Sequence, residues 1–197
     1  MNIFVTDKDP AQSARNLCNK HVVKMMLETM QILCSPFANG KAPYRQTHFH
    51  HPCSVWARES LENYEWLILH AIYIGNEYTA RYGKKHKSAG HISWIIDNYK
   101  DLKLPIKGLT PFVQAMPDYC KSGNAVDAYR NYYVNEKRSF AAWPKGKAPD
   151  WYAYGIRALK LVSDKENARK YVSFFGEHCQ VKYENTIQEG SVLSGTL

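Results

Sequence analysis

The sequence predicts a mainly α fold: a single compact helical domain with long irregular loops over residues 1–183, followed by a flexible polar tail over 184–197. Three observations carry this. The stretches 16–34 and 54–82 repeat apolar residues at the helical period. Ser35-Pro36, Asn39-Gly40 and Gly83 supply stop signals where those stretches end. No segment alternates strongly enough to read as a sheet strand, and neither internal repeats nor low-complexity tracts occur.

Taken in order, Met1–Thr6 (MNIFVT) is a short apolar segment, extended or packed on the core. Asp9 is placed to cap a helix with Pro10 at its first position. That helix is expected to reach Cys34, with a break near Asn16–Asn19. Its second part, NLCNKHVVKMMLETMQILC, is apolar at almost every position, which predicts burial. The polar exceptions His21, Lys24, Glu28 and Gln31 follow at spacings of three, four and three, so they share one stripe. An acid, a base and an amine on a buried helix must face a cleft, a partner or each other, because unpaired burial is costly. A plainer reading makes Lys24–Glu28 a surface pair with His21 beside it, and the residues alone do not choose.

Residues 41–53 (KAPYRQTHFHHPC) form an irregular segment crowding His48, His50, His51 and Cys53 together. A zinc reading lacks a second spaced ligand pair, and adjacent His50 and His51 fit one tetrahedron poorly. A loop presenting imidazoles to phosphates or to a cleft is the preferred reading. Ser54 is expected to cap one long helix to Tyr82, with Arg58, Glu62 and Glu65 close together on its polar face. Gly83 stops it, and Lys84, Lys85, His86 and Lys87 follow as a solvated end or a phosphate contact. A shorter helix runs from Ser88 or His91 to Asp101, and prolines at 105, 111 and 117 hold open a long loop. Ala125–Ala142 returns to a helix that interleaves Tyr129, Tyr132 and Tyr133 with Arg130, Lys137 and Arg138. It is either an amphipathic core helix or a surface that grips nucleic acid. The loop 143–149 carries Lys145 and Lys147 and leads into Trp151 and Tyr152; a last helix is expected over Asp164–Phe175.

A net charge of +8 and a pI near 9.2 favour a polyanionic partner, most simply DNA. Fourteen tyrosines and five tryptophans add stacking surfaces for bases. Five cysteines, an odd number without a CxxC pair, read as structural thiols of a reduced, cytoplasmic protein. No apolar run is long enough to span a bilayer, so no membrane partner is expected.

The common cofactor motifs are absent: no Walker loop, GxSxG elbow, HExxH or dinucleotide fingerprint occurs. What remains is the His21/Lys24/Glu28 stripe, the histidine loop and a basic aromatic exterior. A carboxylate beside an amine suits chemistry through an imine, the amine attacking a sugar carbon and the carboxylate steadying positive charge. Lys24 would need a lowered pKa, which Glu28 opposes. The intrinsically less basic chain-terminal amine is the better nucleophile. Because Asn2 is not a small residue, that amine is expected to be Met1's.

His21 followed seven residues later by Glu28, in a helix ending before Ala38-Asn39-Gly40-Lys41, resembles the phage pyrimidine-dimer DNA glycosylase (endonuclease V) family. His51 opening an aromatic-rich helix, and Trp151-Tyr152-Ala153-Tyr154, are similar to two further features of that family. The resemblance implies a compact all-α fold, a metal-free and cofactor-free glycosylase, abasic-site lyase activity, and extrusion of a base from duplex DNA. It also implies the catalytic carboxylate at Glu28, a supporting role for His21, and the chain-terminal amine of Met1 as nucleophile. Lys24 completes the candidate catalytic set. Candidate DNA contacts are His48, His50, His51, Arg58, Lys84, Lys85, Lys87, Arg130, Lys137, Arg138, Lys145, Lys147, Trp151 and Tyr152. If the protein is phage-encoded, the cytoplasm concerned is that of the host cell. The chain departs from the family at Asn2, Ile3 and Leu27, where the family has a small first residue and arginines. Three alternatives therefore stay open: a glycosylase for another base, a non-catalytic nucleic-acid-binding protein, and a metal-dependent nuclease or hydrolase built on His48–Cys53.

Overall fold

The architecture is that of a computed structural model, which describes residues 1–38 and 40–161. The expected helix at 164–175, Cys179 and the tail lie outside the described residues. The described residues hold seven α-helices and no strand, so the fold is mainly α. None of these helices is long and apolar enough to cross a membrane. The described residues divide into two compact units, Met1–Ala115 with Phe140–Ala148, and Met116–Ser139 with residues 149–161.

The first unit begins with helices α1 (Pro10–Asn16) and α2 (Asn19–Cys34). Asp9 caps α1 by accepting from the Ala11 and Gln12 amides, with Pro10 at the first position. The break falls at Leu17-Cys18, and a distant arginine secures it. Arg81 donates to the carbonyls of Arg15 and Leu17 and to Asn19 Oδ1, while Glu77 holds its guanidinium at 2.9 Å. Those carbonyls are the ones that a helix end leaves without partners.

Helices α3 (Pro52–Glu59) and α4 (Leu61–Tyr82) replace the single helix expected over 54–82. Ser54 is not the cap; it is buried inside α3, and His51 caps that helix, its ring accepting from the Cys53 amide. The chain turns extended at Ser60, whose hydroxyl caps α4 by accepting from Asn63 N. The break sets Arg58 on α3 apart from Glu62 and Glu65 on α4, and the three side chains take different partners. Arg58 donates to the carbonyls of Phe49 and Ser54, Glu62 accepts from Lys107 N, and Glu65 accepts from Tyr99. Breaking the helix between Arg58 and Glu62 changes the rotation on which the arginine's place beside the two glutamates depended.

α4 forms the spine of the unit, burying Tyr64, Trp66, Leu67, Ile68, Ala71 and Ile74 against α1, α2 and α3. Tyr64 donates its hydroxyl to the Leu33 carbonyl, and burial drives that phenol's pKa upward. Gly75 sits where an added Cβ would meet Ala89 Cβ at 3.2 Å, so the backbones approach closely there. Gly83 ends α4 in the left-handed region at φ 67°, its amide returning to Thr79. A 3-10 turn (Lys87–His91), helix α5 (Ile92–Asn98) and a second 3-10 turn (Tyr99–Leu102) follow.

The second unit contains α6 (Ala125–Tyr132), a π turn (Tyr133–Lys137) and α7 (Asp150–Leu161). The helix expected to reach Ala142 thus stops earlier: the wider π turn ends it, and Phe140 to Ala142 run out irregularly. Tyr129 and Tyr133 are completely buried, so these two rings of the expected base-gripping face are core.

Candidate active site

Residues 1–6 thread along α2 as an irregular segment, buried from Asn2 to Thr6, with Ile3 and Val5 having no exposed surface. Glu28 and His21 stand seven residues apart on α2, about 10 Å along its axis at 1.5 Å per residue. This segment covers that interval: Asn2 lies at Glu28 and Phe4 at His21. The Asn2 amide donates to Glu28 Oε2 at 3.0 Å, and the Met1 amine lies 3.7 Å from the same oxygen. Lys24 Nζ is 3.3 Å from Glu28 Oε1. The carboxylate is thus bracketed by two cations and one amide.

The stripe expected on α2 divides on this geometry. His21 is buried between the Phe4 ring, 4.2 Å away by centroids, and Phe140 at 5.4 Å. Glu28 is 13 % exposed, whereas Lys24 is 67 % exposed, so the surface reading holds for the lysine. Nor is α2 buried all round, since Val23 and Leu27 are exposed. Phe4 adopts φ 48°, a left-handed conformation that costs a non-glycine residue roughly 1–2 kcal/mol. Such strain marks places where surrounding contacts fix the backbone. Here those contacts are the His21 ring and Asn2 Oδ1, which accepts from Phe4 N.

Asn2 is the residue that sequence reasoning missed. Its Oδ1 accepts from the amides of Ile3 and Phe4, and its Nδ2 donates to the Ala115 carbonyl at 2.7 Å. A polar residue inside the apolar opening MNIFV was the only signal available.

His51 joins this group electrostatically. Burial lowers its pKa, with the chain-terminal amine and His48 adding to the effect and Glu28 opposing it. The ring is therefore neutral near pH 7. His48 is exposed in a left-handed conformation, with Nδ1 2.7 Å from Thr47 Oγ1, and His50 is exposed against Phe49. Cys53 is fully buried and turns its thiol toward Asn2 Oδ1. Among the described residues no three His, Cys, Asp or Glu side chains are placed to hold a metal ion.

The other candidates sort by location. Arg58 spends its guanidinium on the Phe49 and Ser54 carbonyls and lies 3.7 Å over the Phe49 ring. Lys84, Lys85 and Lys87 are exposed beyond α4, and His86 hydrogen-bonds the Val23 carbonyl, fastening this basic run beside α2. Lys145 and Lys147 are exposed in a loop whose Trp143 donates to the Asn16 carbonyl. In the second unit, Lys137 donates to the Tyr132 hydroxyl and Arg138 is exposed. Arg130 lies 5.6 Å over the Trp151 ring, which meets Tyr133 and Tyr152 edge-on.

Fold and site together define a class: a helical protein that holds a carboxylate against its first backbone amine and amide, flanked by histidines. Residues 1–90 match the family model described as pyrimidine dimer DNA glycosylase. The matched segment contains Met1, His21, Lys24, Glu28 and His51, and over it the family resemblance is upheld. A family so described is one of DNA glycosylases, and DNA is the substrate it implies. No curated protein and no solved structure gives a match.

Proposed function

We propose that this protein is a DNA glycosylase that removes a damaged or modified pyrimidine from duplex DNA, with abasic-site lyase activity through an imine. The observation that carries the reading is the double approach to Glu28 Oε2 by the Met1 amine at 3.7 Å and the Asn2 amide at 3.0 Å. The family match over residues 1–90 supplies the substrate class.

The unprotonated Met1 amine attacks C1′ of an extruded nucleotide, and the C1′–N bond breaks with its electron pair leaving on the base, which takes up a proton. Ring opening moves the amine's remaining proton to O4′ and leaves a neutral imine at C1′, which takes up a proton from solvent to become the iminium. Glu28 stabilises the positive charge and carries the proton between these oxygens and nitrogens. Loss of a C2′ proton then expels the 3′ phosphate, which is the lyase step. Lys24, largely in solvent, faces Glu28 Oε1 at 3.3 Å, and neutral His51 adds no further cation beside the amine.

Borohydride trapping on UV-irradiated and unirradiated duplex DNA tests this. A covalent adduct on irradiated DNA only, mapped to the Met1 nitrogen and lost in Glu28→Gln, is expected. Binding without adduct or base release, on irradiated DNA and on duplexes carrying other modified pyrimidines, would overturn the catalytic reading.

A further inference from the structure

The loop 103–110 (KLPIKGLT) presents an exposed apolar tip whose two sides are hydrogen-bonded to the rest of the fold. Ile106 is 79 % exposed, the most exposed large apolar side chain among the described residues, and Leu109 is 48 % exposed. An isolated exposed apolar residue needs no explanation; the framing of this one does. The Pro105 carbonyl accepts from Leu61 N at 2.8 Å, and the Gly108 carbonyl accepts from the Ser60 hydroxyl at 2.9 Å. Lys107 N donates to Glu62 Oε2. Thr110 exchanges bonds with Asn63, its amide donating at 2.9 Å and its hydroxyl accepting at 2.7 Å. Behind it, Phe112 packs on Trp56 and Trp66 with centroids 5.2 and 4.8 Å away. Left-handed turns at Lys103 (φ 47°) and Gly108 (φ 77°) bound the projecting segment.

The loop is thus anchored on the joint between α3 and α4, where the chain runs extended at Ser60. Cations adjoin the tip in the chain: Lys103 and Lys107 are exposed in the loop itself, and Lys100 on the turn before it. Of the nearby carboxylates, Glu62 accepts from Lys107 N and Glu59 from Thr110 Oγ1, while Asp101 is exposed on the preceding turn. A rigid branched apolar side chain between lysines has the chemistry of a wedge for stacked bases: apolar surface enters a base step while cations meet the phosphates on either side.

We propose that Ile106 is a wedge that inserts between base pairs of the DNA substrate and helps to unstack the duplex. The proposal rests on the reading of the protein as a DNA enzyme. It also has a length scale. The loop root at Ser60 and the His51 cap stand at opposite ends of α3, whose eight residues span about 12 Å. At 3.4 Å per step that is roughly three or four base steps from the extruded nucleotide.

The test uses the full chain and a set of duplexes that carry a tetrahydrofuran abasic analogue with 2-aminopurine at successive neighbouring positions. Wild type at saturation is expected to raise 2-aminopurine fluorescence at one position, within about four steps of the analogue. Ile106→Ala should bind but lose that rise, and Ile106→Met should keep it. Lys107→Ala should weaken binding while leaving the rise at saturation intact. The proposal is overturned if Ile106→Ala gives the wild-type rise, or if wild type binds with no rise anywhere. A wild type that forms borohydride adducts but shows no rise would sink the wedge alone. One that neither binds duplex DNA nor forms adducts would sink the enzyme reading and the wedge together.

Discussion

The backbone amide of Asn2 donates to Glu28 Oε2 at 3.0 Å, across 26 positions of sequence. Through this bond the first residues of the chain become part of the candidate site on α2, with the Met1 amine 3.7 Å from the same oxygen.

Replacing Glu28 by Gln keeps the side chain's size and one acceptor for Asn2 but removes the charge facing Met1 and Lys24. Base release should fall by roughly 100-fold or more, the scale of a lost proton-transfer group. Circular dichroism and DNA binding should be unchanged. Lys24→Ala, by contrast, removes a surface pair and should shift stability by less than about 1 kcal/mol. It should still form the borohydride adduct, whereas blocking the Met1 amine should abolish it; the reverse pattern would make Lys24 the nucleophile.

Asn2→Ala strips four side-chain hydrogen bonds from a buried turn, leaving the amides of Ile3 and Phe4, the Cys53 thiol and the Ala115 carbonyl without that partner. Unsatisfied buried groups cost about 1–3 kcal/mol each at the site of loss. Urea denaturation should show a destabilisation of at least the lower figure, with adduct yield falling in parallel. An unchanged midpoint would mean that the turn does not depend on this side chain.

His51 both caps α3 and stands in the field of the Met1 amine and Glu28. Its pKa is lowered in the fold, chiefly by burial. The neutral ring is therefore favoured, and the associated stability is present above the ordinary histidine pKa and lost as pH falls through that region. Asn ranks among the best capping residues, so His51→Asn should keep α3 while removing the titration. The acid limb of the pH profile for base release should shift in this variant. An identical profile would exclude His51 from setting the charge at the site.

His70 is a cleaner reporter of stability. It is fully buried on α4, with Nδ1 3.1 Å from the Pro10 carbonyl. Burial pulls its pKa from 6.5 down to about 4, the carbonyls of Pro10 and Ile3 opposing. The unfolded chain binds the proton more readily, so stability present above pH 6.5 is lost as pH falls toward 4. At 1.36 kcal/mol per pKa unit the loss amounts to roughly 3 kcal/mol. Urea titrations between pH 7 and 4 should show it in wild type and lose most of this slope in His70→Leu.

Several elements were legible because their signals are local. Asp9-Pro10 specified the start of α1, Gly83 the end of α4, and the spacing of His21 and Glu28 the face on which both stand. The break of α1 from α2 fell within the expected interval as well. By contrast, Ser54 and Ser60 offer similar capping chemistry, and nothing local to either decides between them. What decides is the clamp of loop 105–110 onto Ser60, Leu61 and Asn63, made by residues more than forty positions later.

The sequence by itself determined the helical class, the periods of the helices, and the placement of an acid seven residues after a histidine on one helical face. Only the tertiary structure decided which of the polar stripe is covered, and that the chain's first amine and amide lie against Glu28. The physical reason is range. Helical periodicity and capping are set by neighbours within four positions, so they can be read along the chain. The contacts that make the site run from Asn2 to Glu28 and Ala115 and from His21 to Phe140. Such contacts arise only when distant segments pack, and no spacing in the sequence records them.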